Sequence, residues 1–354
     1  MFSLQPIDRQ TQPGKLFKSL EGDNLICTAC GHLCKLRPGQ RGVCKVRFNA
    51  DGTLQVPFHY VSGIQNDPIE KKPFFHAIPG SRALSFGMLG CDFHCSYCQN
   101  WLTSQSLRDD NSTQGSTRIS PKDICDKAIE NGSKVVVSTY NEPLITSEWA
   151  VEVFKEAKQR NLWTAYVSNG HGTPEVIEYI RPWVDLMKID LKSYSKKEYR
   201  RLGGDRNAVL KTIQTIHEMG IWLELVTLLI PNYNDSDKEL TDIANFIAGI
   251  SKDIPWHVTA FHPDYKMTDR ARTSAEILLR AYRHGKKAGL SFVYAGNLPG
   301  KVKNAESTYC PKCNEVVIER IGFQVVANRL KKVCVLTAKI LFLVVGFSFL
   351  NRGV

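Results

Sequence analysis

The sequence predicts an α/β fold built on a parallel sheet, open or closed into a barrel. Three observations carry this. From about residue 82, short apolar or β-branched runs alternate with longer runs of helical period. Such alternation is the signature of strand–helix–strand units, which make parallel sheets. Polar residues also gather just after the apolar runs, at the strand ends where barrels of this kind keep their function.

The elements follow in order. RALSFGML (82–89) is an apolar strand leading into a cysteine loop, and KVVVSTYN (134–141) is the next β-branched run. SEWAVEVFKEAKQRN has helical period, LWTAYVSN is a strand, PEVIEYIRPW a helix and DLMKIDL a strand. AVLKTIQTIHEMG is a helix closed by glycine, followed by the strand WLELVTLLI. DKELTDIANFIAGISK, WHVTAF, SAEILLRAYRHGKKAG and SFVYAG complete a set of seven strands.

The 354 residues suffice for one large domain with appendages, and 43% hydrophobic residues allow a sizeable core. The net charge is +11, concentrated in segments 34–47 and 192–206, and is read as a solvated basic face rather than a nucleic-acid surface. The opening MFSLQPIDRQ lacks an apolar signal region, so the expected location is the cytoplasm. The eleven cysteines then read as metal ligands rather than disulfides. They group as Cys27/Cys30/Cys34/Cys44, Cys91/Cys95/Cys98 and Cys310/Cys313, with Cys125 and Cys334 alone.

The trio poses a question of coordination. A structural zinc site closes with four ligands, and a cubane iron–sulfur cluster normally takes four thiolates. With three thiolates, one iron keeps open positions and can bind another molecule. The alternative is a zinc loop that borrows its fourth ligand. The stretch GMLGCDFHCSYCQNW, with C-x3-C-x2-C spacing and Tyr97 just before the last cysteine, resembles the signature of the radical S-adenosylmethionine (SAM) superfamily. The resemblance implies a partial parallel (β/α) barrel, with a 4Fe-4S cluster on Cys91, Cys95 and Cys98 whose open iron chelates SAM.

It also implies roles for the other strand ends. Glu142 in STYNEP is expected at the methionine ammonium of SAM. Ser168 and Asn169 in VSNG resemble the Thr-Asn-Gly turn of the pyruvate formate-lyase activating enzyme group. Asp190 and Lys192 in KIDLK resemble that group's Asp-Leu-Lys, with the lysine at the SAM carboxylate. His262 in FHPDY resembles the group's histidine near its last strands. One departure is Val167, where the group carries an acid that helps bind a monovalent cation. The expectation is that the Lys188 ammonium replaces that cation.

The ordered motifs CTACGHLCKLRPGQRGVC, DPIEKKPFFHAIPGS, TYNEP, FHPDYKMTD, AGNLPG and YCPKC resemble the radical SAM member of the AmmeMemoRadiSam system. That resemblance implies Memo-like and AMMECR-like partners. It also implies an external one-electron reductant, such as ferredoxin or flavodoxin, and oxidoreductase or lyase-type chemistry. The substrate stays open between a small molecule, the glycine of a partner glycyl-radical enzyme and a nucleic acid. A non-catalytic metal-binding scaffold is the reading from another class.

The quartet, spaced C-x2-C-x3-C-x9-C, suits a tetrahedral zinc or an auxiliary cluster. Cys310-Pro-Lys-Cys313 looks like half a zinc knuckle, whose second half is missing apart from Cys334. The tail VCVLTAKILFLVVGFSFL (333–350) is interrupted by Lys339, and a spanning helix needs roughly twenty apolar residues. A membrane anchor therefore ranks below an atypical tail. The chain is expected to divide into a cysteine-rich segment (1–75), a barrel (76–300) and a C-terminal appendage (301–354).

Overall fold

A computed structural model describes residues 6–330 apart from residues 113 and 303; Cys334, Lys339 and the apolar tail lie outside the described residues. Eight strands form the central sheet. In chain order they are β1 (Gly63–Pro68), β2 (Arg82–Gly87), β3 (Ser133–Ser138), β4 (Trp163–Ser168), β5 (Leu186–Asp190), β6 (Trp222–Leu229), β7 (Trp256–Ala260) and β8 (Val293–Gly296). Their order across the sheet is also their chain order. β2 to β8 are parallel, and β1 pairs antiparallel with β2. The seven expected strands are all present. β1, GIQNDP, is an addition without the alternation that marks a strand, because none of its residues is fully buried.

The connections between parallel strands carry helices: α1 (Pro121–Glu130), α2 (Ser147–Gln159), α3 (Pro174–Ile180), α4 (Lys196–Leu202), α5 (Arg206–Glu218), α6 (Asp237–Ile250) and α7 (Ala275–Lys287). α1 is started by a capping box, in which Ser120 accepts from the Asp123 amide and Asp123 reaches back to the Ser120 amide. No helix among the described residues is long and apolar enough to cross a membrane.

The interior of the curved sheet is closed at the N-terminal ends of its strands. Ala83, Val135, Val137, Ala165 and Leu186 point inward and pack on Ile69, Phe74 and Ala77 from the β1–β2 connection. This plug is fixed by polar groups. Glu224, in the middle of β6, accepts from the Phe75 and His76 amides at 3.0 Å each and from His257 Nε2 at 2.7 Å. His76 Nε2 meets the Tyr294 hydroxyl at 2.6 Å. From the C-terminal hairpin (Val316–Ile321 and Gln324–Asn328), the buried Arg320 donates to the Phe75 carbonyl at 2.6 Å and reaches Glu70 at 3.5 Å.

The cysteine-rich N-terminal segment is made of two small three-stranded sheets docked on the barrel. Its fastening is an ion pair: Arg47 donates to the Glu148 carboxylate on α2 at 2.7 and 2.8 Å, with both side chains buried. The same carboxylate accepts from the Lys15 and Leu16 amides. A buried pair with this many hydrogen bonds fixes a register, and removing either partner is severe.

Candidate functional site

The cysteine loop begins where β2 ends. Gly90 has φ +89°, and a side chain there would meet the Cys44 carbonyl and Val46 at 2.8 Å, so only glycine lets the loop lie on the N-terminal segment. Arg108 clamps the contact, donating to the carbonyls of Cys91 and Phe93 at 2.7 and 2.8 Å and also to the carbonyl of Val43. The Phe93 amide donates to Cys91 Sγ at 3.4 Å, and Ser104 Oγ lies 3.1 Å from Cys98 Sγ. Burial raises the thiol of Cys91 well above its ordinary value, that of Cys95 to about 12 and that of Cys98 as well. Three thiolates held here need a cationic centre to stabilise them, which the chemistry of an iron–sulfur cluster supplies.

A cavity of about 490 Å³ opens beside them at the C-terminal ends of the strands, lined by Cys95, Tyr97, Cys98, Asp190, Lys192 and His262 among others. Asp190 ends β5 and accepts from the ammonium groups of Lys188 and, at 3.2 Å, Lys192. Against the cost of burial, these two lysines lower the Asp190 carboxyl to about 2. The Lys192 ammonium loses hydration, but Asp190 and the Cys95 thiol raise its pKa well above the ordinary lysine value. Val167 borders the same cavity, and the Lys188 ammonium stands against Asp190.

The remaining expected residues lie behind this wall. Glu142 is 2% exposed. One of its oxygens accepts from Ser168 Oγ at 2.7 Å and the Leu144 amide at 3.0 Å, and the other from the Asn169 amide at 2.7 Å. Burial and the nearby Asp92 raise its carboxyl to about 8, against the pull of these three donors. Glu142 thus braces the Ser168–Asn169 turn rather than lining the cavity. Asn169 donates to Asp92 Oδ1 at 2.8 Å and accepts from the His171 amide.

Asp92 and His171 are the functional neighbours that sequence reasoning missed. Asp92 is fully buried and accepts from His171 Nδ1 at 2.8 Å. The Asp205 amide, at the N-cap of α5, donates to His171 Nε2 at 3.1 Å, so the ring is neutral at Nε2 and carries its proton on Nδ1. Burial opposes the Asp92 charge, yet the His171 and Asn169 hydrogen bonds hold its pKa below the usual carboxylate value. The ligand atoms of Cys30, Asp92 and His171 all lie within 4.8 Å of one another. That juxtaposition joins the N-terminal quartet to the cluster loop. The available signal was an acid inside a cysteine motif, which had no partner in the sequence pattern.

In the quartet, Cys27, Cys30 and Cys44 are buried. Burial, followed by the Cys27 thiol, raises Cys44 to about 12; burial, followed by Asp92, raises Cys30 well above normal. The Arg47 guanidinium donates to Cys27 Sγ at 3.2 Å. A side chain at Gly42 would fill space 3.6 Å from Cys34 Sγ and 3.7 Å from Cys44 Sγ, a cradle that fits a metal-bearing group. At the other end of the chain, the Lys312 and Cys313 amides donate to Cys310 Sγ at 3.4 Å each, the turn of a metal knuckle.

Comparison with known proteins decides the family. The radical SAM superfamily model matches residues 87–245, which run from the end of β2 into α6. The chain belongs to the radical SAM superfamily. An uncharacterized protein of Methanocaldococcus jannaschii is 34% identical over 309 residues, 87% of this chain and 91% of that one. The isethionate sulfite-lyase activating enzyme of Oleidesulfovibrio alaskensis is 24% identical over 144 residues, 39% of this chain and 46% of that one. The 4-hydroxyphenylacetate decarboxylase activating enzyme of Clostridium scatologenes is 27% identical over 116 residues, 32% of this chain and 37% of that one. This radical SAM chain is therefore an enzyme with distant homology to activating enzymes. Its cofactors are a 4Fe-4S cluster and SAM, and it needs an external electron donor.

Proposed function

We propose that the protein cleaves SAM reductively and uses the product to take a hydrogen atom from a substrate in the strand-end cavity. The observation that carries this reading is that Cys95, Cys98, Asp190 and Lys192 face one cavity. Cys91, Cys95 and Cys98 would hold the cluster. When bound, cluster and SAM together supply a 5′-deoxyadenosyl radical on receipt of one electron.

The chain's own residues bind and orient. Lys192 donates toward the SAM carboxylate, and Asp190 holds that ammonium in place. Tyr97 and His262 wall the SAM site. Ser168 and Asn169, braced by Glu142, support the cluster loop from behind the cavity wall through the hydrogen bond from Asn169 to Asp92, and Glu142 does not meet the ammonium directly. Lys188 takes the position beside Asp190 that a monovalent cation takes in the activating enzymes. The quartet Cys27/Cys30/Cys34/Cys44 holds zinc or an auxiliary cluster against the cluster loop, and residues 1–75, 76–300 and 301–354 act as metal-binding segment, barrel and appendage.

We assign the chain to the AmmeMemoRadiSam group, with Memo-like and AMMECR-like proteins as partners and ferredoxin or flavodoxin as reductant. The second reading is an activating enzyme that installs a glycyl radical on a partner protein, favoured by the similarity to two activating enzymes.

The test is anaerobic reconstitution, reduction with dithionite and assay of 5′-deoxyadenosine. Cys95→Ala should abolish the iron–sulfur absorption and SAM cleavage together, and full cleavage by that variant would remove the central claim. Lys192→Met should weaken SAM binding by roughly ten- to a hundredfold, the loss of one charge-assisted hydrogen bond.

A further inference from the structure

The same cavity is also lined by Lys72, Tyr140, Lys188, His257, Thr259 and Phe323. Lys72 and Lys188 are each 5% exposed. Lysines are almost never buried unless paired, and the pairing here is incomplete. Asp190 is shared by Lys188 and Lys192, and Asp67 is shared by Lys71 and Lys72. Those four lysines therefore face two carboxylates, while the lining Glu70 is offset by Arg320. With Arg320 and the Glu224 carboxylate behind His257 included, five cations face four carboxylates, a surplus of one positive charge.

The rest of the wall limits size and shape. Residues Ile69 to Ala77 plug the barrel from below, and Phe323 reaches the cavity from the C-terminal hairpin. Phe75, Val226 and Leu228 give it an apolar side. The Lys72 ammonium also donates to the Tyr140 hydroxyl at 3.2 Å, so its position is fixed before anything binds. Burial lowers the Lys72 pKa, with Asp67 opposing, and an anion beside it would restore what burial removes.

We infer that the substrate is a small organic anion, a carboxylate or a phosphate ester with an apolar body, whose charged end is taken by Lys72 and Lys188. This rests on the proposed SAM chemistry and narrows its substrate from the open choice between small molecule and protein glycine. A protein loop would have to thread its backbone into a cavity of about 490 Å³ closed below by the plug.

The test uses the full chain, reconstituted anaerobically with cluster and SAM. Benzoate and inorganic phosphate are the anion probes, and benzamide is the neutral control. Protection of Lys72 and Lys188 from acetylation, read by mass spectrometry, should rise with benzoate or phosphate and not with benzamide. Whichever of the two protects at lower concentration separates the carboxylate from the phosphate source. Lys72→Met should weaken anion binding by roughly ten- to a hundredfold by calorimetry. A metabolite extract split by ion exchange provides the second measurement. Stimulation of 5′-deoxyadenosine formation should follow the small-molecule fraction retained on an anion exchanger. Equal protection by benzamide, unchanged anion binding in Lys72→Met, or stimulation by the protein or cation fraction would each overturn the inference. Wild-type cluster absorption and SAM cleavage without any probe are measured alongside. Loss of those would refute the underlying SAM reading instead, so the two failures are distinguishable.

Discussion

Asp92→Asn changes one atom in the centre of the site and should be expensive. The carboxylate accepts two hydrogen bonds of 2.8 Å, from Asn169 Nδ2 and His171 Nδ1, in a fully buried position. An asparagine offers one acceptor oxygen and an amino group. If the oxygen serves Asn169, the amino group confronts the Nδ1 proton of His171. The ring can escape by moving its proton to Nε2, but that atom already accepts from the Asp205 amide, so the mismatch is passed to the N-cap of α5. Every arrangement leaves one buried donor without an acceptor, a loss of about 1–3 kcal/mol. Urea unfolding of the metal-loaded protein under anaerobic conditions measures it, at fixed metal content. Hydrogen exchange at the Asp205 and Asn169 amides locates it, because both should exchange faster. An unchanged midpoint together with unchanged protection at both amides would refute the hydrogen-bond accounting.

Two further outcomes test the supports of the site. Glu148→Gln leaves the Arg47 guanidinium buried without its counter-charge and should destabilise by about 3–5 kcal/mol, with loss of metal from the quartet because Arg47 also holds Cys27; urea unfolding and elemental analysis check both. His76 is held near a pKa of about 4 by burial, against the pull of Glu224. Unfolded histidine titrates near pH 6.5, so the unfolded state binds the proton first as the solution is acidified. The His76 contribution, on the order of 3 kcal/mol, is complete above about pH 6.5 and is lost as pH falls toward about 4. His76→Gln should flatten that part of the midpoint-against-pH curve, and parallel curves would rule the assignment out.

The parallel strands were legible because their interiors are apolar and β-branched on both faces. Their ends were legible because Asp190, Lys192 and His262 interrupt that pattern where a parallel barrel keeps its chemistry. β1 was not, since GIQNDP is a half-exposed edge with no periodicity to read. α1 stands outside the alternation read from the sequence, although Ser120, Pro121 and Asp123 spell a helix start. Glu224 and His257 stand inside apolar strands, and a charge in such a run is a sign of an inward polar network; what it binds depends on the plug, which only the three-dimensional path brings there. The place of Glu142 at a strand end suggests a ligand contact, whereas its carboxylate meets Ser168 and Asn169. Its orientation toward Ser168 and Asn169 depends on the distance between two loops, which spacing along the chain does not encode.

The contact between Arg320 and Glu70 spans 250 positions. Synthesis runs from the N-terminus, so the plug emerges long before the side chain that fastens it. Glu70 is 0% exposed in the finished protein, and a nascent chain ending before residue 320 would bury that carboxylate with no guanidinium beside it. Closure of the barrel floor therefore waits until residue 320 has been made. A prematurely ended chain would present quality-control proteases with an open barrel whose cysteine loops have no settled floor beneath them.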